Sequence, residues 1–487
     1  MCGIVGIVSS EPVNQQIYDS LLLLQHRGQD STGIATSEDN QFHMVKAKGQ
    51  VREAYRTRDM RQLLGNVGLG HVRYATHGSA GSEEEAQPFY VNAPYGIILV
   101  HNGNLTNTRE LTAELYNVDR RHLNTHSDTE LLLNVLANEL QSGISGLSLD
   151  ADQVFDAVGR LHERVEGSYA AIALIAGHGL LAFRDPFGIR PLVLGRRELP
   201  GGSGEEWIVA SESLVLESGG YEVVRDVEPG EAVLISPDGW MYSRQCAAEP
   251  RLVPCAFEYI YLARPDSVMN GISVYDARLR LGNALAEQII AEAPTGDIDV
   301  VMPIPDSARP SAMQVAQKLG IEYREGFFKN RYVGRTFIMP GQAVRKKTVR
   351  QKLNAMSTEF RGKNVLIVDD SIVRGTTSRE IVEMARSAGA ASVTFASAAP
   401  PVLYPHVYGI NMPTRRELIA HGRSLDDVAE EIGADRLVYQ TVEAMDRAIL
   451  EGQDRVTELE KSCFTGEYIA GRVDEEYLAW VEATQES

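Results

Sequence analysis

One segment narrows the choice of fold sharply: residues 365–378 read Val-Leu-Ile-Val-Asp-Asp-Ser-Ile-Val-Arg-Gly-Thr-Thr-Ser. The apolar start predicts a buried strand, two adjacent carboxylates follow it, and a turn rich in Gly, Thr and Ser leads into a predicted helix at Thr377. Ligands of open α/β sheets bind where the strands end. A helix N-terminus attracts an anion, and adjacent carboxylates suit ribose hydroxyls or Mg²⁺. The segment therefore predicts a phosphate site at the edge of a parallel sheet.

The sequence around this segment alternates between predicted strands and helices. After about residue 255, helices are predicted at 274–292, 311–320 and 377–389, and strands at 300–303, 364–368 and 392–396. That alternation predicts an α/β fold, with a parallel sheet covered by helices on both faces. Beyond about residue 400 the chain is predicted to be helical and polar.

The first half of the chain instead carries short strands separated by turn residues. Apolar runs predict strands at 3–8, 69–75, 96–100, 169–175, 180–184, 191–195, 207–211 and 232–236. Gly, Pro, Asn or Asp lies between them, which favours antiparallel pairing. A helix is predicted after Ser127, with Ser127 as its N-cap and Glu130 completing a capping box. Helices outside such sheets give an α+β fold.

The composition restricts the class of protein. The chain has 487 residues, 47 Lys and Arg and 66 Asp and Glu, so its formal charge is −19. This charge argues against a nucleic-acid binder. The sequence contains no apolar run near the roughly 20 residues that span a bilayer, and no basic signal region at its start. Four widely spaced cysteines suit a reducing compartment. We therefore expect a cytoplasmic protein with no membrane partner.

Cys2 follows the initiator methionine, whose removal would place a thiol and a free α-amine on one residue. Such an amine can act as general base for the thiol. Taken alone, Cys2 is better explained as a small apolar residue of a strand than as a nucleophile. Polar segments at 26–33, 70–77, 101–105 and 127–128 fall at predicted strand ends or helix starts, where site residues gather. With the opening Met-Cys-Gly-Ile-Val-Gly-Ile, this set resembles the class II, N-terminal-nucleophile glutamine amidotransferases over most of residues 2–235.

This resemblance implies an αββα sandwich and a role for each matching residue. Cys2 would attack the glutamine amide and release ammonia. Asn102 and the backbone N–H of Gly103 would form the oxyanion hole. Arg73 would bind the α-carboxylate of glutamine, and Asp128 its α-ammonium group. As isolated residues, Arg73 is also explained as a surface ion and Asp128 as a helix cap.

The segment 365–378 resembles the phosphoribosyl pyrophosphate (PRPP) motif of type I phosphoribosyltransferases. In that family a hydroxyl residue after the strand predicted here at 300–303 binds the metal, and Ser307 matches it. The resemblance therefore implies that Ser307 joins Asp369 and Asp370 around one Mg²⁺ per subunit. After Ser307, the run Ala308-Arg309-Pro310 departs from the serine-rich pattern of the family. The resemblance implies PRPP-binding roles for the motif residues Asp369, Asp370, Ser371, Arg374, Gly375, Thr376, Thr377 and Ser378.

A basic segment at 329–352 stands out from the acidic composition. It contains eight basic residues and no acidic one, in a chain of charge −19. Alone, such a run is typical of a nucleic-acid patch or a solvated loop. Beside a PRPP motif it predicts a mobile lid over pyrophosphate, with Lys329 and Arg335 as ligands.

A glutaminase half joined to a PRPP half resembles the amidophosphoribosyltransferase family over essentially the whole chain. We expect domains at 2–235 and 255–450, followed by a helical tail at 451–487. The resemblance implies that PRPP, glutamine and water give 5-phosphoribosylamine, glutamate and pyrophosphate, the first step of de novo purine synthesis. It also implies inhibition by purine nucleotides of the AMP or GMP class, a homotetramer, and coupling of the two sites through Tyr74 and Tyr261.

Some members of this family hold an iron–sulfur cluster on four cysteines. Cys255 and Cys463 match two of those positions, whereas His406 and Glu460 occupy the other two. Two thiolates are too few for a four-cysteine cluster. We therefore expect no cluster, and two buried structural thiols.

Two alternatives to this interpretation differ in the sites they require. Another class II amidotransferase, such as a sugar-phosphate aminotransferase or an asparagine synthetase, does not need the PRPP motif at 369–378. A non-enzymatic PRPP sensor built on the transferase fold does not need Cys2 and the glutamine-binding residues.

Overall fold

The computed structural model of the chain describes residues 2–74, 84–143, 149–199, 204–292, 296–329, 353–412 and 414–486. Of the predicted lid, Lys329 lies within these ranges, whereas Arg335 and the rest of the segment lie outside them. Two antiparallel sheets form the N-terminal half, and a parallel sheet forms the C-terminal half.

The two antiparallel sheets lie face to face. The first has seven strands, in the spatial order Glu222–Asp226, Val193–Glu198, Glu205–Ala210, Gly3–Val8, Val67–Arg73, Ser31–Glu38 and Gln41–Lys48. The second has six, in the order Met241–Gln245, Glu231–Ile235, Gly179–Arg184, Gly167–Ile175, Ile97–Leu105 and Phe89–Val91. Ile4, Val100 and Ile172 are among the buried side chains between the sheets. The strand that follows Cys2 is therefore central and shielded from solvent.

Helices cover the outer faces of both sheets. Asn14–Leu23 packs on the first sheet through Ile17 and Leu21. Asp128–Ser142 and Ala151–Arg164 pack on the second. These four layers confirm the predicted αββα sandwich.

The C-terminal half is built on a five-stranded parallel sheet. Its strands lie in the order Glu322–Tyr323, Val300–Pro303, Asn364–Asp369, Ser392–Ser397 and Arg436–Tyr439. Helices Val274–Glu292 and Arg309–Leu319 cover one face, and Thr376–Ser387 and Leu425–Ile432 cover the other. This arrangement confirms the predicted α/β fold. Because the strands are parallel, their carboxyl ends meet at one edge, where Asp369 lies.

Shorter elements connect these layers. Val268–Met269 pairs with Ile272–Ser273, and Phe327–Lys329 pairs with Leu353–Ala355 in antiparallel ribbons. No helix within the described ranges has the length and apolar character needed to cross a bilayer. The remaining α-helices are Val51–Ala54, Thr57–Met60, Thr108–Asn117, Ser213–Ser218, Ser357–Phe360, Val442–Leu450, Ser462–Thr465 and Glu475–Glu486, with 3₁₀ turns at Gln25–Arg27 and Arg415–Glu417 and a π-helix at Glu258–Leu262.

The predicted capping box of the helix Asp128–Ser142 is half wrong. Ser127 is the N-cap, and its Oγ accepts a hydrogen bond from the backbone N of Thr129 at 3.3 Å. The carboxylate of Glu130 instead accepts from the backbone N atoms of Asn124 and Thr125, at 2.9 and 2.8 Å. Glu130 thus stabilises the loop before the helix, because that loop folds back over the first turn.

Several strands of the structure were not predicted, among them one beyond residue 400 and one in the first antiparallel sheet. The segment beyond residue 400 contains the strand Arg436–Tyr439, which pairs with Ser392–Ser397 at the edge of the parallel sheet. The strand Ser31–Glu38 was not predicted, because STGIATSE shows no alternation of polar and apolar residues. Pairing with Gln41–Lys48 on one side and Val67–Arg73 on the other places it in the sheet.

Candidate active sites

Cys2 lies where the two antiparallel sheets meet. Its backbone N donates a hydrogen bond to Oδ1 of Asn102 on the facing sheet, at 3.2 Å. Its Sγ lies 3.8 Å from the carbonyl O of Tyr74. The Nδ2 group of Asn102 is buried and has no hydrogen-bond partner in the described part of the chain. A buried donor left free beside a thiol is what an oxyanion hole requires.

Gly103 follows Asn102 in a conformation that other residues rarely adopt. Its φ is +154°, and a Cβ added there would lie 2.0 Å from the carbonyl O of Ser168 and 2.7 Å from Nε2 of His101. A side chain at this position would force the strand away from its neighbour. The structure therefore requires glycine next to Asn102.

Arg73 is the last residue of the strand Val67–Arg73. This strand pairs with Gly3–Val8, and Val72 lies opposite Gly3. This register places Arg73 beside the Cys2 end of the sheet. Its guanidinium is buried, and Nη2 donates to Oε2 of Glu85 at 2.9 Å. No sequence pattern indicated Glu85 as a partner of Arg73, because that contact depends on how residues 84–88 approach the sheet.

Asp128 is the first residue of its helix and points back to the strand that carries Asn102. Its Oδ2 accepts from the backbone N of Leu105 at 3.2 Å and lies 3.9 Å from Nδ1 of His101. Burial lowers the pKa of His101, so its ring is neutral at pH 7. In these contacts the Asp128 side chain therefore faces a neutral ring and a backbone N–H, not a cation.

The second cluster lies at the carboxyl edge of the parallel sheet. Asp369 ends the strand Asn364–Asp369, and its Oδ1 accepts from the backbone N of Asp370 at 2.9 Å. Oγ of Ser307 donates to Oδ2 of Asp370 at 2.5 Å, and Oγ of Ser371 donates to its Oδ1 at 2.9 Å. The structure thus brings the three predicted metal-site residues Ser307, Asp369 and Asp370 together.

The electrostatics of this cluster favour a cation. Burial raises the pKa of Asp369 well above its ordinary value, and the charge of Asp370 raises it further. Burial also raises the pKa of Asp370, although hydrogen bonds from Ser307 and Ser371 oppose the increase. Two buried carboxyls that repel each other are suited to a hard divalent ion such as Mg²⁺, which prefers oxygen ligands. The residues present therefore fit a magnesium site.

The turn after these carboxyls has little space for a larger residue. Gly375 has a φ of +72°, and a Cβ there would lie 2.1 Å from Cδ1 of Ile419. The helix Thr376–Ser387 begins directly after it, so its free backbone N–H groups face the same edge as Asp369. Nη2 of Arg374, on the same turn, lies 3.5 Å from Oε2 of Glu417.

Lys329, at the start of the predicted lid, and Arg309 share one partner. Nζ of Lys329 donates to Oδ2 of Asp306 at 3.2 Å, and Nη1 of Arg309 donates to Oδ1 of the same carboxylate at 2.7 Å. Nε of Arg309 also donates to Glu325 at 2.9 Å. The run Ala308-Arg309-Pro310, which departs from the family pattern, thus begins the helix Arg309–Leu319, and the charge of Arg309 is paired with the neighbouring carboxylates of Asp306 and Glu325.

A buried ion network that the sequence did not reveal joins the two halves. Nε of Arg27 lies 3.0 Å from Oε1 of Glu212, and its Nη2 donates to Oε2 of Glu258 at 2.6 Å. Nη1 of Arg190 lies 3.4 Å from Oε1 of Glu258. Arg27 and Glu212 belong to the N-terminal half, whereas Glu258 begins the π-helix that carries Tyr261. Two buried arginines therefore face two buried glutamates where the two halves of the chain meet.

The residues at the iron–sulfur positions do not fit a four-thiolate cluster. Sγ of Cys255 lies 3.5 Å from Nε2 of His406, and that nitrogen lies 2.9 Å from Oε2 of Glu460. Nδ1 of His406 accepts from the backbone N of Tyr408 at 3.2 Å, so the ring proton is on Nε2 and is donated to Glu460. That tautomer leaves Nε2 without a lone pair for a metal.

Both cysteines of this group are buried thiols. Burial raises the pKa of Cys255 to about 12, and it raises the pKa of Cys463 well above its ordinary value. Both therefore stay protonated at pH 7, as structural residues of the core.

Comparisons with known proteins agree with this two-site arrangement. Family models described as a glutamine amidotransferase domain and a phosphoribosyl transferase domain match residues 71–218 and 272–401. An amidophosphoribosyltransferase of Pseudomonas aeruginosa is 55% identical over 482 residues, which are 99% of this chain and 95% of that protein. The Escherichia coli amidophosphoribosyltransferase is 53% identical over 483 residues, again 99% and 95%.

Solved structures show the same fold. The glutamine PRPP amidotransferase of B. subtilis, complexed with ADP and GMP, has a TM-score of 0.84 and 36% identity, over 97% of this chain and 98% of that one. A structure described as the allosteric regulatory enzyme of purine biosynthesis has a TM-score of 0.86 and 37% identity, over 99% of each chain.

The fold and the two sites define a glutamine amidotransferase joined to a phosphoribosyltransferase in one chain. Because relatives more than half identical match it over nearly its full length, the chain belongs to the amidophosphoribosyltransferase family. It catalyses the first step of purine biosynthesis, in which nitrogen from glutamine is transferred to PRPP to form 5-phosphoribosylamine, glutamate and pyrophosphate. Both alternatives, an amidotransferase without a PRPP site and a non-enzymatic sensor, are thereby excluded.

Proposed function

We propose that Cys2 is the nucleophile of the glutaminase half, acting after removal of Met1. The observation that carries this proposal is the contact of the Cys2 backbone N with Asn102, on the facing sheet. In the mature chain that nitrogen is the α-amine, held at 3.2 Å from Oδ1 of Asn102 and positioned to take the thiol proton. Sγ attacks the side-chain carbonyl carbon of glutamine, and collapse of the tetrahedral adduct releases ammonia and leaves a thioester that water hydrolyses.

The negative charge that develops on the carbonyl oxygen needs donors that are already in place. Nδ2 of Asn102 is buried beside Cys2 and has no hydrogen-bond partner among the described residues, so it serves this role without first breaking such a bond. The backbone N–H of Gly103 is the proposed second donor. Their fixed positions on the strand Ile97–Leu105 minimise reorganisation during the reaction.

Two charged residues at this site suit the two ends of free glutamine. Arg73 offers a planar fork to the α-carboxylate, and Glu85, which holds Nη2 in the structure, orients that fork. Asp128 accepts the α-ammonium group. Recognition of both ends would restrict the site to glutamine itself, because a glutamine side chain within a peptide lacks them.

The PRPP half is proposed to bind its substrate across the turn at 369–378. Asp369 and Asp370 contact the ribose hydroxyls and, with Ser307, hold Mg²⁺, which when bound would neutralise charge on the pyrophosphate. Ser371, Arg374 and Gly375, together with Thr376, Thr377 and Ser378 at the helix N-terminus, bind the 5′-phosphate through N–H and hydroxyl donors. Lys329 and Arg335 of the lid contact the pyrophosphate. Ammonia then attacks C1 of the ribose, the C1–O bond to pyrophosphate breaks, and the new amine loses one proton to solvent. Positioning and charge stabilisation supply most of the acceleration.

Further properties of the family are proposed for this chain. Tyr74, whose carbonyl contacts Cys2, and Tyr261, on the π-helix whose first residue Glu258 contacts Arg27, would couple glutamine hydrolysis to PRPP binding. The domains would run over 2–235 and 255–450, with a C-terminal tail at 451–487. Regulation by purine nucleotides, a homotetramer and a cytoplasmic location complete the proposal, and the nucleotide complex of the B. subtilis relative supports the first of these.

The test measures glutamate and pyrophosphate together, with glutamine and Mg²⁺, in the presence and absence of PRPP. Cys2→Ala should abolish glutamine-dependent release of both products but retain pyrophosphate release when ammonium replaces glutamine. Cys246→Ala is the matched control, because its Sγ contacts the carbonyl O of Arg244 at 3.4 Å in another part of the sandwich. Glutaminase activity that survives Cys2→Ala would refute the proposed site.

A further inference from the structure

A segment of the C-terminal half lies directly behind the proposed oxyanion strand. Nδ2 of Asn104 donates to the carbonyl O of Val407 at 2.9 Å, and Oγ of Ser168 donates to the carbonyl O of Tyr408 at 3.0 Å. Asn104 and Ser168 are cross-strand partners in the second antiparallel sheet. Two neighbouring donors of one half therefore hold two consecutive carbonyls of the other.

The next residue of this segment touches Gly103 itself. Gly409 has a φ of +94°, and a Cβ there would lie 2.8 Å from both the carbonyl C and the carbonyl O of Gly103. The backbones are so close that a shift of the segment by a fraction of an ångström would press on Gly103 or leave it unsupported. We refer to Val407, Tyr408 and Gly409 as the backing segment.

One histidine fixes the conformation of the backing segment. Nδ1 of His406 accepts from the backbone N of Tyr408 at 3.2 Å, and Nε2 donates to Glu460 at 2.9 Å. Both side chains are fully buried. The other carboxylate oxygen of Glu460 accepts from the backbone N of Ser462 at 2.8 Å, and the backbone of Glu460 bridges to Cys255. The histidine thus connects the backing segment to a rigid part of the C-terminal half.

We propose that His406 and Glu460 are positioning residues for glutamine hydrolysis: they hold the backing segment against Gly103 and so set the position of the oxyanion donors beside Cys2. The inference rests on the proposed function, because it takes Asn102 and Gly103 as the oxyanion hole. Neither His406 nor Glu460 touches the substrate. Their effect on the reaction passes through backbone contacts at Gly409, Asn104 and Ser168.

The surroundings of Glu460 suit a buried carboxylate that accepts hydrogen bonds from His406 and from the backbone N of Ser462. Burial acts to raise the pKa of Glu460, but the His406 ring and the donors of Ser462 lower it to about 2. Glu460 is therefore a carboxylate at pH 7 and accepts the hydrogen bond from His406. Such an acceptor suits a contact whose role is to hold geometry.

The test uses the full-length enzyme and His406→Leu, which removes both hydrogen bonds of the ring. We expect the kcat of glutamine-dependent glutamate release to fall by about 10-fold or more, since misplaced catalytic groups cost rate on that scale. The KM for glutamine should stay within about two-fold, because Arg73 and Asp128 are untouched. Ammonium-dependent pyrophosphate release should also stay within about two-fold. His406→Asn, whose Oδ1 takes the place of Nδ1 as acceptor for Tyr408, should recover part of the lost kcat.

Two further variants guard against a folding defect. Ser168→Ala removes a donor to the backing segment from the other half, so it should lower the same kcat, and its effect should not add to that of His406→Leu. His421→Leu is the matched control, because Nδ1 of His421 contacts the carbonyl O of Leu403 near the same segment but not the segment itself. It should leave kcat unchanged.

Three outcomes would overturn the inference: an unchanged kcat in His406→Leu, equal losses of glutamine- and ammonium-dependent activity, or additive effects of the two variants. Failure of the proposed function has a different signature. Glutaminase activity that persists in Cys2→Ala, or in Asn102→Ala, would refute the site itself, whatever the His406 variants show.

Discussion

Replacement of Glu212 by Gln tests the buried ion network between the two halves. The carboxylate lies 3.0 Å from Nε of Arg27 and 2.7 Å from Nε2 of His26, both in its own half. From the C-terminal half, it accepts hydrogen bonds from the backbone N of Arg264 at 3.0 Å and Oγ of Ser267 at 2.7 Å. Glutamine preserves the shape of the side chain but removes the charge, and Arg27 then has one anion fewer.

The expected loss of stability follows from the pKa of Glu212. Burial alone would raise it, but Arg27 and His26 bring it from an ordinary 4.5 to about 2. That difference corresponds to about 3 kcal/mol in favour of the ionised carboxylate in the folded protein. Removing one partner of a buried ion pair costs about 3–5 kcal/mol in other proteins. We therefore expect Glu212→Gln to destabilise the enzyme by about 3 kcal/mol at pH 7.

The measurement is calorimetric unfolding of Glu212→Gln and wild type at one scan rate. A loss of about 3 kcal/mol should lower Tm by roughly 6–12 °C for a cooperative unit of ordinary domain size. Glu205→Gln is the control, since it makes the same substitution at an exposed pair, 3.3 Å from Arg196. Such pairs contribute about 1 kcal/mol or less.

The pH dependence gives a second, independent check. Because the folded pKa of Glu212 is lower than its ordinary 4.5, the stabilisation is fully present above about pH 4.5 and is lost as the pH falls toward 2. The difference in Tm between wild type and Glu212→Gln should therefore narrow below pH 4.5. Equal Tm values for Glu212→Gln and Glu205→Gln at pH 7, or a difference that does not change with pH, would refute the network's role.

Three other predictions concern the substrate sites. Because burial raises the pKa values of Asp369 and Asp370, binding of Mg²⁺ and PRPP should release protons and should weaken as the pH falls. Calorimetry in two buffers of different ionisation enthalpy measures the number of protons released, and a count of zero would contradict the prediction. Gly375→Ala should raise the KM for PRPP by about 10-fold, since the positive φ costs about 1–2 kcal/mol and the new Cβ would lie 2.1 Å from Cδ1 of Ile419. Steady-state kinetics with ammonium in place of glutamine measure this KM, and an unchanged value would show that the turn does not bind PRPP. Arg73→Lys should raise the KM for glutamine by about 10-fold, because the bidentate contact with the α-carboxylate of glutamine is lost, and it should not affect ammonium-dependent activity. Loss of both activities would argue against a specific role of Arg73 in glutamine binding.

Local patterns in the sequence predicted the elements that carry the motifs. The predicted helix 274–292 and strand 300–303 coincide with Val274–Glu292 and Val300–Pro303. Alternation of apolar runs and helical segments is a local signal, and it remains visible because parallel strands are buried on both faces. The same local signal located Asp369 at a strand end. Glu130 shows its limit: its spacing from Ser127 matches a capping box, but a tertiary contact with the preceding loop is formed instead.

What the sequence by itself determined is the pair of chemistries: a cysteine at a strand start among glutamine-site motifs, and a carboxylate pair before a phosphate-binding turn. Both are carried by residues adjacent in the chain, so neighbours alone reveal them. The tertiary structure decided how the two sites are connected. Arg27 and Glu258 are 231 positions apart, and Asn104 and Val407 are 303 apart. No local pattern encodes such contacts, because they form only when the folded halves bury charges and carbonyls that water would otherwise satisfy.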